Sequence, residues 1–101
     1  MGEIIRNKSV SVGTTSVLLA PTLDIGQRDV LCVTNTSTGG QIVTISVGAP
    51  AVSGSGIVLY PGGSWSESVD SAFIPANLDF WVVASGASAS VAIHERIKQK
   101  V

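Results

Sequence analysis

The chain holds one histidine, His94, and one cysteine, Cys32, and these two residues bound the nucleophilic chemistry open to it. A serine or cysteine nucleophile needs an imidazole base steadied by a third polar group, so any such arrangement must be built on His94. Cys32 sits within Val30-Leu31-Cys32-Val33, where a free thiol reads as a small, inert, buried hydrophobe. His94 falls on a different strand, which predicts that the two side chains lie far apart. No G-x-S-x-G elbow occurs. Gly54-Ser55-Gly56 and Pro61-Gly62-Gly63-Ser64 lack the strand-to-helix setting and the lysine of a phosphate loop. The residues therefore predict a protein that is not an enzyme. One cysteine and one histidine cannot furnish a zinc cage, and the seven acidic residues are not spaced as a calcium loop. The metal reading left open is calcium between loop carboxylates such as Asp24 and Asp29, and no cofactor is implied.

Binding is better represented than catalysis. Tyr60, Trp65, Phe80 and Trp81 are the aromatics that could stack on a sugar ring. Trp81 lies in the most apolar run and is expected in the core, while Trp65, between Ser64 and Ser66, is expected to be half exposed at most. An aromatic at the end of a strand serves equally as an anchor in a subunit contact. Charge is uneven: residues 9–95 set one cation, Arg28, against six carboxylates, a net of −5, whereas residues 1–8 carry +1 and residues 96–101 carry +3. An acidic body repels nucleic acid, so Arg96, Lys98 and Lys100 read either as an arm on the acidic body of a neighbouring subunit or as a solvated end. The expected assembly or partner contacts are thus Tyr60, Trp65, Arg96, Lys98 and Lys100.

These residues must be positioned by a small scaffold. With 101 residues the chain makes one domain, 1–101, with short basic termini at 1–8 and 96–101. Charged residues are only 13% of it and the mean hydropathy is +0.44. That combination is expected where neighbouring subunits cover part of the surface, as in a homo-oligomer. No apolar run approaches the ~18 residues of a membrane-spanning helix, and most runs fall short of the ~9–11 of a membrane-barrel strand, so no membrane is implied. The first residues lack the apolar core of a secretory signal, and Arg6 breaks the myristoylation pattern, which predicts synthesis in the cytoplasm without a signal peptide. The sequons at Asn7 and Asn35 then carry little weight.

Alternation of apolar and polar residues, with period two, marks the strands. The centre of the pattern is residues 28–48, where two runs, 29–35 and 41–47, flank Thr36-Ser37-Thr38-Gly39-Gly40 and predict a hairpin with a five-residue loop. Residues 8–12 and 16–20 precede it, the second run stopped by Pro21. The small, Pro- and Gly-rich stretch 49–56 is expected to cross an edge or end of the fold. Residues 57–60 and 64–69 flank Pro61-Gly62-Gly63, which suits a type II turn. Residues 70–77 form a loop, 78–85 a strand buried on both faces, and 89–95 the last clear strand. Should that strand continue, Val91, Ile93 and Ile97 share one face, and His94, Arg96, Lys98 and Lys100 the other. About eight short strands without helical periodicity indicate an all-β antiparallel sandwich, jelly-roll-like, with an immunoglobulin-like arrangement as the alternative.

Across about nine tenths of the chain, the order of these pieces resembles a small β-sandwich module found among virion proteins of tailed phages and archaeal viruses. The resemblance rests on Arg28 ahead of Leu31-Cys32-Val33-Thr34-Asn35, on Gly48 closing the next strand, and on Leu59-Tyr60-Pro61-Gly62 opening a later one. It implies a virion-surface location as a capsid decoration, turret, head-fibre or tail protein. Such a protein works as a homo-oligomer against a major capsid or other virion protein. No catalytic residues carry over, and the basic C-terminal extension departs from the plainest form of the module. The alternative function is a carbohydrate- or host-receptor-binding module in which Trp65 and Tyr60 meet a glycan.

Overall fold

The alternating runs become eight strands: β1 (Glu3–Val12), β2 (Val17–Ala20), β3 (Gly26–Asn35), β4 (Val43–Val47), β5 (Ile57–Leu59), β6 (Ser64–Ser68), β7 (Phe80–Ala84) and β8 (Ala89–Gln99). The structure, a computed structural model, describes residues 3–21, 26–68 and 78–99. The expected loop at 70–77, Asp24 and Lys100 lie outside the described residues. The strands form two four-stranded sheets, one in the order β1-β8-β3-β6 and the other β2-β7-β4-β5, with every pairing antiparallel. Inner-face residues of both sheets, among them Leu31, Val33, Val43, Ile45, Phe80, Val82, Val91 and Ile93, interdigitate as the buried core. Of the consecutive strands, only β4 and β5 are neighbours in one sheet; each other step passes between sheets. This is the jelly roll, since an immunoglobulin-like sandwich keeps its first two strands together. Among the described residues no helix is long and apolar enough to cross a membrane.

The hairpin expected over residues 28–48 does not form. β3 belongs to the first sheet and β4 to the second, so the glycine-bearing connection is an arch over the end of the sandwich. Turn residues serve an arch as well as a hairpin, because both need only positive φ and local polar bonding. Asn35 holds the arch: its Nδ2 donates to the carbonyls of Gln41 and Leu59, each at 2.9 Å, and its Oδ1 accepts from Ser37 N–H. The turn after β5 is the expected type II, with Gly62 at φ 82° and Gly63 N–H donating to Tyr60 O. It too joins different sheets, and it docks on β3 through Asn35 N–H to Gly63 O and Gly62 N–H to Asn35 O.

The opposite end is closed by Arg28. The pairing of β3 with β8 slips between Arg28 and Val30, a bulge at Asp29. Without that slip Arg28 would share the outward parity of Val30, Cys32 and Thr34; with it the side chain turns inward and is fully buried. Its Nε donates to Glu95 Oε2 at 2.6 Å, Nη2 to Pro21 O at 2.9 Å and Nη1 to Leu78 O at 3.4 Å, and the guanidinium lies 5.0 Å from the Phe80 ring centre. Pro21 follows β2 and Leu78 precedes β7, so one side chain ties the two sheets together.

The terminal strands are longer than their clearest patterns. β1 begins at Glu3, and β8 runs to Gln99 with Ile97 buried and His94, Arg96 and Lys98 on the outward parity, as expected for a continuing strand. The basic residues 96–99 are therefore ladder residues between β1 and β3 rather than a loose arm.

Candidate functional site

The two outer faces of the sandwich differ in chemistry. On the second sheet, outward parity places Leu18, Trp81 and Ser46 in one row and Val83, Thr44 and Val58 in the next. Residues 49–56, expected at an edge or end, cross this face instead. Ala51 N–H donates to Ser16 Oγ before β2, and Gly54 N–H donates to Thr44 Oγ1 on β4. Val83 and Thr44 are buried beneath the crossing. What remains uncovered is apolar: Leu18 is 44% exposed, Val58 39% and Val52, on the crossing segment, 65%, with Trp81 half-buried beside Leu18. The strands β2, β4, β5 and β7 themselves carry no charged side chain, and Asp79, one residue before β7 and on the parity of Trp81 and Val83, brings a carboxylate to the border of this face.

The sheet edges offer less. β2 and β5, the edges of the second sheet, have four and three residues. β1 has ten residues, but Arg6 and Lys8 stand on its inward parity, and such charges oppose pairing with another chain's strand. β6 has five residues and carries Glu67 on the inward parity.

The contact residues expected from sequence are scattered. Tyr60 is 65% exposed at the Asn35 end. Trp65 points between the sheets, half-buried, its ring 5.8 Å from that of Phe80. Trp81, expected in the core, is on the outer face instead: alternation sends Phe80, Val82 and Ala84 inward and so must send Trp81 outward. Arg96 is half-buried and Lys98 exposed, both toward the Arg28 end, far along the sandwich from Tyr60. Asp29 sits at the bulge of β3.

Cys32 and His94, expected far apart, are direct cross-strand partners. β3 and β8 are distant in sequence and adjacent in the sheet, which no local pattern reports. The outward row across the first sheet reads Asn7, His94, Cys32, Ser66. Asn7 Oδ1 lies 2.6 Å from His94 Nδ1. An amide oxygen only accepts, so Nδ1 carries the proton and Nε2 the free lone pair. Cys32 is partly exposed rather than buried. Asn7, His94 and Cys32, together with Ser9, Thr34 and the small Ala92, line a groove of 390 Å³ on the outer face, bordered by Lys8 and Ile93, which stand on the inward parity of their strands. Among the described residues no group of three or more His, Cys, Asp or Glu is placed to hold a metal ion.

Sequence reasoning missed both surfaces. The parity of β7 contained the signal for Trp81, whereas the Asn7-His94-Cys32 row depends on pairings invisible before folding. No protein-family model matches the chain, and no curated protein matches it.

Proposed function

We propose that this chain is a structural subunit of a virion surface, a capsid decoration, turret or vertex protein that assembles as a homo-oligomer against a major capsid or other virion protein. The observation that carries the assembly part is the apolar outer face of the second sheet, where Leu18, Val52, Val58 and Trp81 present apolar surface to solvent. Exposed apolar surface of this kind is costly in isolation and favours burial against a partner. Blunted strand edges direct contact to that face rather than to strand addition. The placement on a virion draws on the resemblance of the strand order to phage and archaeal-virus surface modules. A glycan-binding role has less support, because Trp65 is packed inside the sandwich and leaves Tyr60, among the described residues, without a neighbouring aromatic on the surface.

The test is the protein composition of purified virus particles from the source of the sequence. The reading expects this chain in many copies per particle, removable from the outside by mild treatment that leaves the shell intact. Particles that lack the chain, with the protein accumulating free in the host, contradict it.

A further inference from the structure

We propose that the groove on the first sheet is a thiol–disulfide exchange site, with Cys32 as nucleophile, His94 as its base and Asn7 as the residue that positions the base. Three groups of the required types occupy consecutive places in one cross-strand row. Directly opposite residues hold their Cβ atoms about 4.5–5.5 Å apart, within reach of an imidazole and a thiol. In the Asn7 contact at 2.6 Å, Nδ1–H donates to the amide oxygen, which leaves Nε2 of the neutral ring to receive the thiol proton. The second observation is the space: the groove over the row measures 390 Å³ and no carboxylate lines it. Among the described residues no third metal ligand accompanies the row, so the fitting partner is a small disulfide rather than a metal ion.

In the exchange, His94 Nε2 accepts the Cys32 proton and the thiolate Sγ attacks one sulfur of the small disulfide. The old S–S bond breaks as the new one forms. The departing thiolate then takes the proton from the imidazolium. Cys32 is oxidised to a mixed disulfide, and half of the small disulfide is reduced to a free thiol.

The experiment follows reaction of the folded protein with glutathione disulfide, and with a chromogenic aryl disulfide, by thiol release and by mass. A peptide of residues 28–36 supplies the reference thiol. The site predicts a single adduct on Cys32, formed about tenfold or more faster than on the peptide, and none in Cys32→Ser. His94→Gln should fall to the peptide's rate or below while retaining the wild-type β-sheet circular dichroism. Asn7→Ala should lose several-fold, and Asn7→Asp, which keeps the acceptor, should recover the rate. A folded protein no faster than the peptide overturns the proposal, as does a rate unchanged by His94→Gln. If His94→Gln fails to fold, the comparison of wild type with peptide and of Asn7→Ala with Asn7→Asp decides alone.

Discussion

Arg28 and Glu95 meet at 2.6 Å inside the sandwich, 67 positions apart in sequence and both shielded from solvent. The pair joins β3 to β8, and the remaining guanidinium nitrogens reach carbonyls at the ends of the facing sheet. Arg6, 3.7 Å from the other Glu95 oxygen, supplies a partial second countercharge from β1. A charged group in a core of this size is a structural pin and is not available to an external partner.

Removing one partner of this pair is therefore expected to be severe. Arg28→Ala leaves a buried carboxylate with Arg6 as its one cation among the described residues and should cost about 3–5 kcal/mol. Arg28→Met combined with Glu95→Leu removes both charges and should recover most of that loss. Midpoints and slopes of urea unfolding measure both. A single substitution costing under ~1 kcal/mol would contradict the buried geometry.

Asn35 plays the corresponding part at the other end. In Asn35→Ala the carbonyls of Gln41 and Leu59 and the Ser37 N–H lose their partners, at about 1–3 kcal/mol for each group left unsatisfied. Asn35→Asp is nearly isosteric yet turns an acceptor toward two carbonyl oxygens, so it should be at least as damaging as alanine. Thermal unfolding of the two variants checks the order. Aspartate clearly milder than alanine would show that the amide does not face those carbonyls.

Two glycines of the segment crossing the second sheet separate close approach from open turn. Gly56 has φ 145°, and a Cβ there would lie 2.5 Å from Ile45 O; Gly54, at φ 83°, has open space around it. Gly54→Ala should cost only the backbone term of about 1–2 kcal/mol, while Gly56→Ala should cost more and lift the segment from Thr44 and Val83. Faster hydrogen exchange of the Gly54 amide in Gly56→Ala reports that lift. Equal melting temperatures for the two variants would count against the close contact.

The two tryptophans should divide stability from assembly. Trp65→Ala opens the core beside Phe80 and is expected to cost toward the lower end of the ~3–5 kcal/mol seen for buried aromatics. Trp81→Ala should alter unfolding by less and lower the apparent mass of the native protein instead. Denaturation curves and sedimentation velocity on the same samples separate the effects. Reversed roles would restore the reading of Trp81 as core.

Much of this division follows from parity that was legible residue by residue. Val43 and Ile45 alternate with Thr44 and Ser46, and Ile93 and Ile97 with His94 and Arg96, so inner and outer faces of β4 and β8 follow from spacing alone. Pairing did not follow. Thr36-Ser37-Thr38-Gly39-Gly40 has the same chemistry for a hairpin as for an arch, and the choice is made by which arrangement buries the apolar faces of all eight strands together. Arg28 was hidden for a related reason, since a one-residue bulge reversed its face. Cys32 and His94 became neighbours only through the placement of β8 between β1 and β3. A local pattern records a strand's faces and is silent about its neighbours.

The central claim, that the apolar face of the second sheet is an assembly surface, is tested most directly by the native molar mass from light scattering. Wild-type protein is compared with Leu18→Asp, which puts a charge on that face beside Trp81 without touching the core. The account predicts a wild-type mass that is a multiple of the 10.3 kDa chain and a fall to 10.3 kDa in Leu18→Asp with the β-sheet spectrum intact. A wild-type protein that stays at 10.3 kDa at its highest soluble concentration, or an oligomer indifferent to Leu18→Asp, would contradict it.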